Sequence, residues 1–201
     1  MRPVELVPSQ VDHPFFKEFM SFGVSFGMRA LEEQGGKKKD GGGGPKKMGR
    51  IGIMAAEEIA FWDQGVAMSL PGPGLGSPPI QIMGTEDQKK RFFGIFEDKT
   101  TPRWGCFALT EPAAGSDVSS IKTTCRKEGK YYILNGEKMF ITNAARTDWA
   151  VTFATIDKSL GRKGHRTFVV EKGTPGYRVG RVEQKMGLRG SETASLIYEE
   201  C

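Results

Sequence analysis

The sequence predicts an α+β fold: an amino-terminal helical domain over 1–103, followed by an antiparallel β-domain, barrel- or sandwich-like, over 104–201. Three observations predict it. Apolar residues recur at helical spacing before Pro102, short β-branched and aromatic runs separated by turn residues come after it, and helices grouped ahead of strands segregate into layers.

Over 14–34, Phe15, Phe16, Phe19, Met20, Phe22, Phe26 and Leu31 are dense enough for a buried helix, which Gly23 and Gly27 weaken. The stretch 35–46 is glycine and lysine, has too little apolar surface to offset its ordering entropy, and reads as a flexible loop. Met48, Ile51, Ala55, Ile59 and Trp62 then follow a three-to-four spacing, with Glu57, Glu58 and Asp63 on other faces. That is an amphipathic helix, and Pro71-Gly72-Pro73-Gly74 stops it. Thr85-Glu86-Asp87-Gln88 has the form of a capping box, opening a helix that runs to about Phe96.

After Pro102 the runs 104–110, 122–126, 131–134, 137–142, 149–156, 167–171, 177–185 and 193–198 read as strands. Asn135-Gly136 predicts a type I′ hairpin turn between the third and the fourth, since both central residues of such a turn need positive φ.

With 201 residues, 38% of them hydrophobic, the chain can bury a core as one domain or two small ones. No run approaches a membrane span and Met1-Arg2-Pro3-Val4-Glu5 lacks the order of a secretory signal, so a cytoplasmic protein is expected. Cys106, Cys125 and Cys201 are odd in number and widely spaced, which supports neither a disulfide framework nor a metal site. Cys106 reads as a small core residue. His13 and His165 are isolated, and an isolated histidine is more often a surface residue than a ligand. The net charge of +5 is concentrated in Lys37-Lys38-Lys39 and Lys46-Lys47, a solvated run without the interleaved aromatics of a nucleic-acid groove. Phosphates of a nucleotide cofactor would also suit a basic surface, and charge by itself does not choose.

Two stretches are candidates for chemistry. Phe107-Ala108-Leu109-Thr110-Glu111-Pro112-Ala113-Ala114-Gly115-Ser116-Asp117 is a strand running into a small-residue loop whose N–H groups could approach a phosphate, with Ser116 adding a hydroxyl. Read by itself, the loop fits a surface turn capped by Asp117 better than a phosphate cradle. Lys138-Met139-Phe140-Ile141-Thr142-Asn143 could offer the face of Phe140 to an aromatic cofactor, although an aromatic alternating along a strand is more often core.

These two stretches, the segment Tyr132-Ile133-Leu134-Asn135-Gly136-Glu137 that leads into the second, and the closing Lys185-Met186-Gly187-Leu188-Arg189-Gly190-Ser191-Glu192-Thr193 together resemble the middle domain of acyl-CoA dehydrogenases. The resemblance is dense from about Gly84 to Cys201 and thin before Lys47. It implies a flavoprotein using FAD, with no metal. In that family the residue at Thr110 bonds the flavin's polar edge, Phe107 and Leu109 line the same face, and Gly115 and Ser116 lie by the pyrophosphate. Ser116 also approaches the CoA part of the substrate, while Phe140, Ile141 and Thr142 fall where an aromatic packs on the ring and a threonine bonds near N5. Phenylalanine at 140 replaces the family's frequent tryptophan.

The implied activity is α,β-desaturation of an acyl-CoA thioester, in fatty acid or amino acid catabolism. A glutamate takes the α proton, the β hydrogen leaves as hydride, and electron-transferring flavoprotein reoxidises the cofactor. The resemblance also implies a homo-oligomer. The family's glutamate lies in a carboxy-terminal helical domain, so it is expected beyond residue 201. The catalytic base is therefore unknown here, and the isolated chain is expected to bind FAD weakly and to be inactive. Glu111 reads as structural and Glu57-Glu58 as surface charge. An acyl-CoA oxidase-like enzyme and a non-catalytic binding module are the alternatives.

Overall fold

Thr85 opens its helix as its sequence dictates: in a computed structural model describing residues 47–98 and 100–201, its side chain accepts from the Gln88 N–H while Gln88 Oε1 accepts from the Thr85 N–H. The expected helix over 14–34 and the loop over 35–46 lie outside the described residues. Of those described, 47–72 and Met186–Ser191 form part of one compact unit, and Pro73–Lys185 with Glu192–Cys201 form another.

The first unit carries helix α1 (Lys47–Met68), interrupted at Asp63. Asp63 has extended backbone angles (φ −165°, ψ 105°), and its Oδ1 accepts from the Val66 N–H at 3.1 Å. The aspartate thus caps a second helical segment, which interrupts the single helix that the spacing predicts. No helix among the described residues is long and apolar enough to cross a membrane.

In the second unit α2 (Ser77–Met83) and α3 (Glu86–Gly94) precede seven strands: β1 (Gly105–Ala108), β2 (Thr124–Glu128), β3 (Tyr131–Thr142), β4 (Trp149–Thr155), β5 (His165–Glu171), β6 (Tyr177–Val182) and β7 (Thr193–Tyr198). They form one sheet in the order β1-β4-β2-β3-β7-β6, with β5 also paired to β4. The sheet is mixed where an antiparallel one was expected. β1 runs parallel to β4 over four register pairs, and β2 meets β4 in parallel at Thr124–Thr155. Strand-rich sequence with short turns suggests hairpins, but the β2–β3 hairpin lies between β1 and β4 in the chain and brings β4 back alongside β1 in the same direction.

The Asn135-Gly136 turn is also corrected. β3 passes straight through that pair, with Gly136 opposite Tyr198, and the β2–β3 hairpin turns instead at Gly129, where φ is +57°. Gly136 serves a different need. A Cβ there would lie 2.5 Å from Thr123 Oγ1 and 2.7 Å from Thr123 Cα, so glycine permits a close backbone approach.

β4 is buried on both faces. Ala150 and Ala154 join Cys106, Ala108, Leu134, Ile141, Leu196 and Tyr198 in one core cluster, whereas Trp149 and Val151 meet Ile80, Phe92 and Phe96 of the helical layer in another. β7 is flanked by irregularities on both sides. From Lys138 to Ile141 on β3, and from Val179 to Val182 on β6, three steps oppose the two steps from Leu196 to Ala194. Each neighbour therefore carries one extra residue, a β-bulge.

Candidate functional site

The bulge in β3 decides what Phe140 does. Strict alternation would put Lys138, Phe140 and Thr142 on one face, but the extra residue lets Lys138 and Ile141 both be buried and turns Phe140 outward, 60% exposed. Its φ is +59°, a left-handed value that side chains with a Cβ seldom adopt. The reading of Phe140 as a core aromatic from alternation alone is overturned. A large exposed aromatic held in an unfavourable backbone state fits a ligand face better than packing.

The two candidate stretches are joined by backbone and by charge. The Met139 N–H donates to the Thr110 carbonyl at 2.8 Å. One residue earlier on β3, Lys138 Nζ donates to the Leu109 carbonyl at 3.1 Å and to Glu111 Oε1 at 2.7 Å. Consecutive residues of β3 thus grip consecutive residues of the strand-to-loop segment. Glu111 also accepts from the backbone N–H groups of Lys122 and Thr123, the latter at 3.0 Å.

Neither member of this pair meets water: Lys138 is 0% and Glu111 5% exposed. Burial pushes the Glu111 carboxyl up, but the donors from Lys138, Thr123 and Lys122 outweigh it and hold the carboxyl below its ordinary range. Burial also pulls the Lys138 ammonium down, against the pull of Glu111. The carboxylate decides the state, because its oxygens take a full set of donors; the pair is ionised. Glu111 is structural, as expected from sequence. Lys138 was not among the sequence candidates, and its signal was a lone cation inside an otherwise apolar-alternating strand.

Beyond Glu111 the chain makes a tight turn, closed by reciprocal 3.1 Å bonds between the backbones of Glu111 and Ala114. Gly115 and Ser116 follow it, both exposed, and a Cβ added at Gly115 would meet nothing within 4 Å. Asp117 stands at the N-cap position of the next turn without a side-chain cap bond, its carboxylate held instead by the Ser119 and Ser120 hydroxyls, which keep it below the ordinary range. Thr110 and Thr142 are partly exposed, and among the described residues neither hydroxyl takes a hydrogen-bond partner.

Phe107 lies on the opposite side of β1 from Cys106 and Ala108, which are core residues. It packs edge-on against Phe153 at 5.3 Å, and with Leu75, Pro78, Pro79, Ile82, Met83 and Phe153 it lines an apolar cleft of about 410 Å³. The contribution of α2 was not predicted. Its two prolines, Pro78 and Pro79, suggest a break, yet in the first turn of a helix the missing N–H groups have no intrahelical partner to lose. At the other end of the site the Asn143 N–H donates to the Glu192 carbonyl at 2.9 Å, and the Ala145 N–H to Glu192 Oε2 at 3.0 Å. Burial pushes the Glu192 carboxyl up.

Residues 106–201 match the family model described as "Acyl-CoA dehydrogenase, middle domain". Human mitochondrial short-chain specific acyl-CoA dehydrogenase is 40% identical over 184 residues, 88% of this chain and 44% of that protein. The chain belongs to the acyl-CoA dehydrogenase family. Among solved structures, butyryl-CoA dehydrogenase from Megasphaera elsdenii superposes with a TM-score of 0.74 at 39% identity, covering 92% of this chain and 46% of its own. An acyl-CoA dehydrogenase from Bacillus anthracis complexed with FAD gives a TM-score of 0.54 at 38% identity, over 61% of this chain and 20% of that one. The chain spans about half the length, or less, of the acyl-CoA dehydrogenases it matches.

Proposed function

We propose that this chain forms the FAD-facing portion of an acyl-CoA dehydrogenase, an oxidoreductase acting on the Cα–Cβ bond of acyl-CoA thioesters. The observation that carries the reading is the seam between Thr110 and Met139, which sets two hydroxyl-bearing segments side by side with Phe140 exposed between them. FAD, when bound, supplies the acceptor for the β hydrogen.

The residues present fit that cofactor. Thr110 and Thr142 offer hydroxyls to its polar ring edge, Phe140 offers a flat face, and the open backbone at Gly115 with the Ser116 hydroxyl suits an anionic pyrophosphate. Ile141 is buried beneath the bulge and gives the face its footing. Leu109 contributes a half-buried side chain, while Phe107 leads from β1 into the apolar cleft, which suits the apolar part of an acyl chain. Ser116 would also meet the CoA moiety. No residue of this chain is assigned the α-proton base. Glu111 is unsuited to it, since its carboxylate is buried and committed to Lys138, Lys122 and Thr123.

Acyl-CoA as substrate, electron-transferring flavoprotein as acceptor and a homo-oligomeric holoenzyme complete the reading. Titrating the chain with FAD and following flavin fluorescence tests it. Saturable binding that Phe140→Ala and Thr142→Val each weaken is expected; wild-type chain and variants giving the same response as free flavin would refute it.

A further inference from the structure

We propose that Lys138 is a positioning residue, whose buried ammonium fixes the spacing between the Thr110 edge and the Phe140–Thr142 face. The proposal rests on the FAD reading above. A wholly buried lysine is rare, and this one is placed with unusual economy: its Nζ reaches the Leu109 carbonyl and Glu111 Oε1, while the next residue's N–H takes the Thr110 carbonyl. Through Glu111 the same charge also reaches the backbone at Lys122 and Thr123. Three chain segments are therefore tied together through one ion pair.

The location matters because the bulge begins at the next residue. A bulge can migrate along a strand unless both of its ends are pinned, and here Lys138 pins one end while the Ile141–Ala194 pairing pins the other. Phe140, at positive φ, lies between the two pins. An ion pair is a poor means of adding stability in a dry interior, since desolvation offsets the attraction, but it tolerates few geometries and so specifies register. Two apolar residues of similar volume would fill the space without specifying it.

The experiment compares Lys138→Met and the double variant Glu111→Gln/Lys138→Met with wild type, by thermal unfolding, hydrogen exchange of the Met139 amide and FAD titration with the bound-flavin absorption spectrum. Lys138→Met should unfold at lower temperature. The double variant should regain wild-type unfolding, yet in both variants the Met139 amide should exchange roughly tenfold faster and FAD should bind roughly tenfold more weakly, with an altered spectrum. A double variant that recovers stability, Met139 protection and FAD affinity together would make Lys138 a purely structural cation and overturn the proposal. A double variant that does not fold also counts against it. Wild-type chain that takes up no FAD would sink the cofactor reading itself, while unchanged Met139 exchange in the folded double variant would refute the clamp whatever the flavin does.

Discussion

The indole N–H of Trp149, at the start of β4, donates to the backbone carbonyl of Phe92 in α3 at 3.1 Å. Phe92 and Phe96 meet the same indole edge-on, with centroids 6.4 and 5.9 Å away. A Cβ on Gly105 would lie 2.4 Å from the ring. Helical layer and sheet are thus joined around one buried side chain. Trp149→Phe should cost about 2–4 kcal/mol, through the void and the unpaired Phe92 carbonyl. Gly105→Ala should cost about 1–3 kcal/mol by overpacking. Urea denaturation followed by far-UV circular dichroism checks both, and values near zero would mean that the indole is not so confined.

Phe140→Gly separates fold from function. The substitution removes a left-handed strain of about 1–2 kcal/mol and adds an unfolded-state entropy cost of about 0.5–1 kcal/mol. Because the ring is mostly exposed, little burial is lost. Stability should stay level or rise slightly while FAD affinity falls, and a variant that loses stability and keeps its affinity would reverse the assignment.

The acid limb of stability should depend on Glu111. Its carboxyl lies below the ordinary value of 4.5 in the folded chain, so it contributes stability that is fully present above that value and is lost as pH falls through the lower, folded one. Urea midpoints measured downward from neutral pH should therefore drop more steeply below about pH 4.5 in wild type than in Glu111→Gln/Lys138→Met. Parallel curves would mean that Glu111 is not held ionised.

Thiol reagents should leave the folded chain untouched at mildly alkaline pH. Cys106, Cys125 and Cys201 are all buried, and burial pushes the Cys106 thiol up to about 12, with Thr147 opposing weakly and Glu192 adding to it. Iodoacetamide followed by mass spectrometry should find no adducts until denaturant is added, then three. Rapid labelling of the folded protein would contradict the core placement.

How much of this was legible in the sequence depended on whether a residue's role was local. The Thr85 capping box and most strand positions are decided within a few residues, and periodicity found them. The turn reading of Gly136 fails because a glycine that admits Thr123, just ahead of β2, looks in one dimension like a glycine that turns the chain. Lys138 and Glu111 are 27 residues apart, and only the fold brings them together, so no spacing rule could pair them. Alternation by itself puts Phe140 in the core and only the resemblance offers it to a flavin, because the bulge that turns it outward is set by the register with β7. The stretches that might meet FAD stood out in sequence, but the clamp that holds them did not.

The paired bulges beside β7 bear on which insertions and deletions this chain can survive. Around Ala194–Leu196 both neighbouring strands are longer than their partner by a single residue, so their side-chain order is kept by counting rather than by composition. Loss of one residue between Lys138 and Ile141 would erase the surplus and leave those two a regular two steps apart, still on one face opposite Leu196 and Ala194, so what disappears is the outward, positive-φ position that Phe140 occupies. The same loss in the two-residue turn at 129–130 would instead break the Glu128–Tyr131 pairing and shift the hairpin register. Length in β3 is thus read in phase, like a frame: a deletion at the bulge keeps the core order and removes the exposed aromatic position, whereas one elsewhere in the strand turns core residues outward.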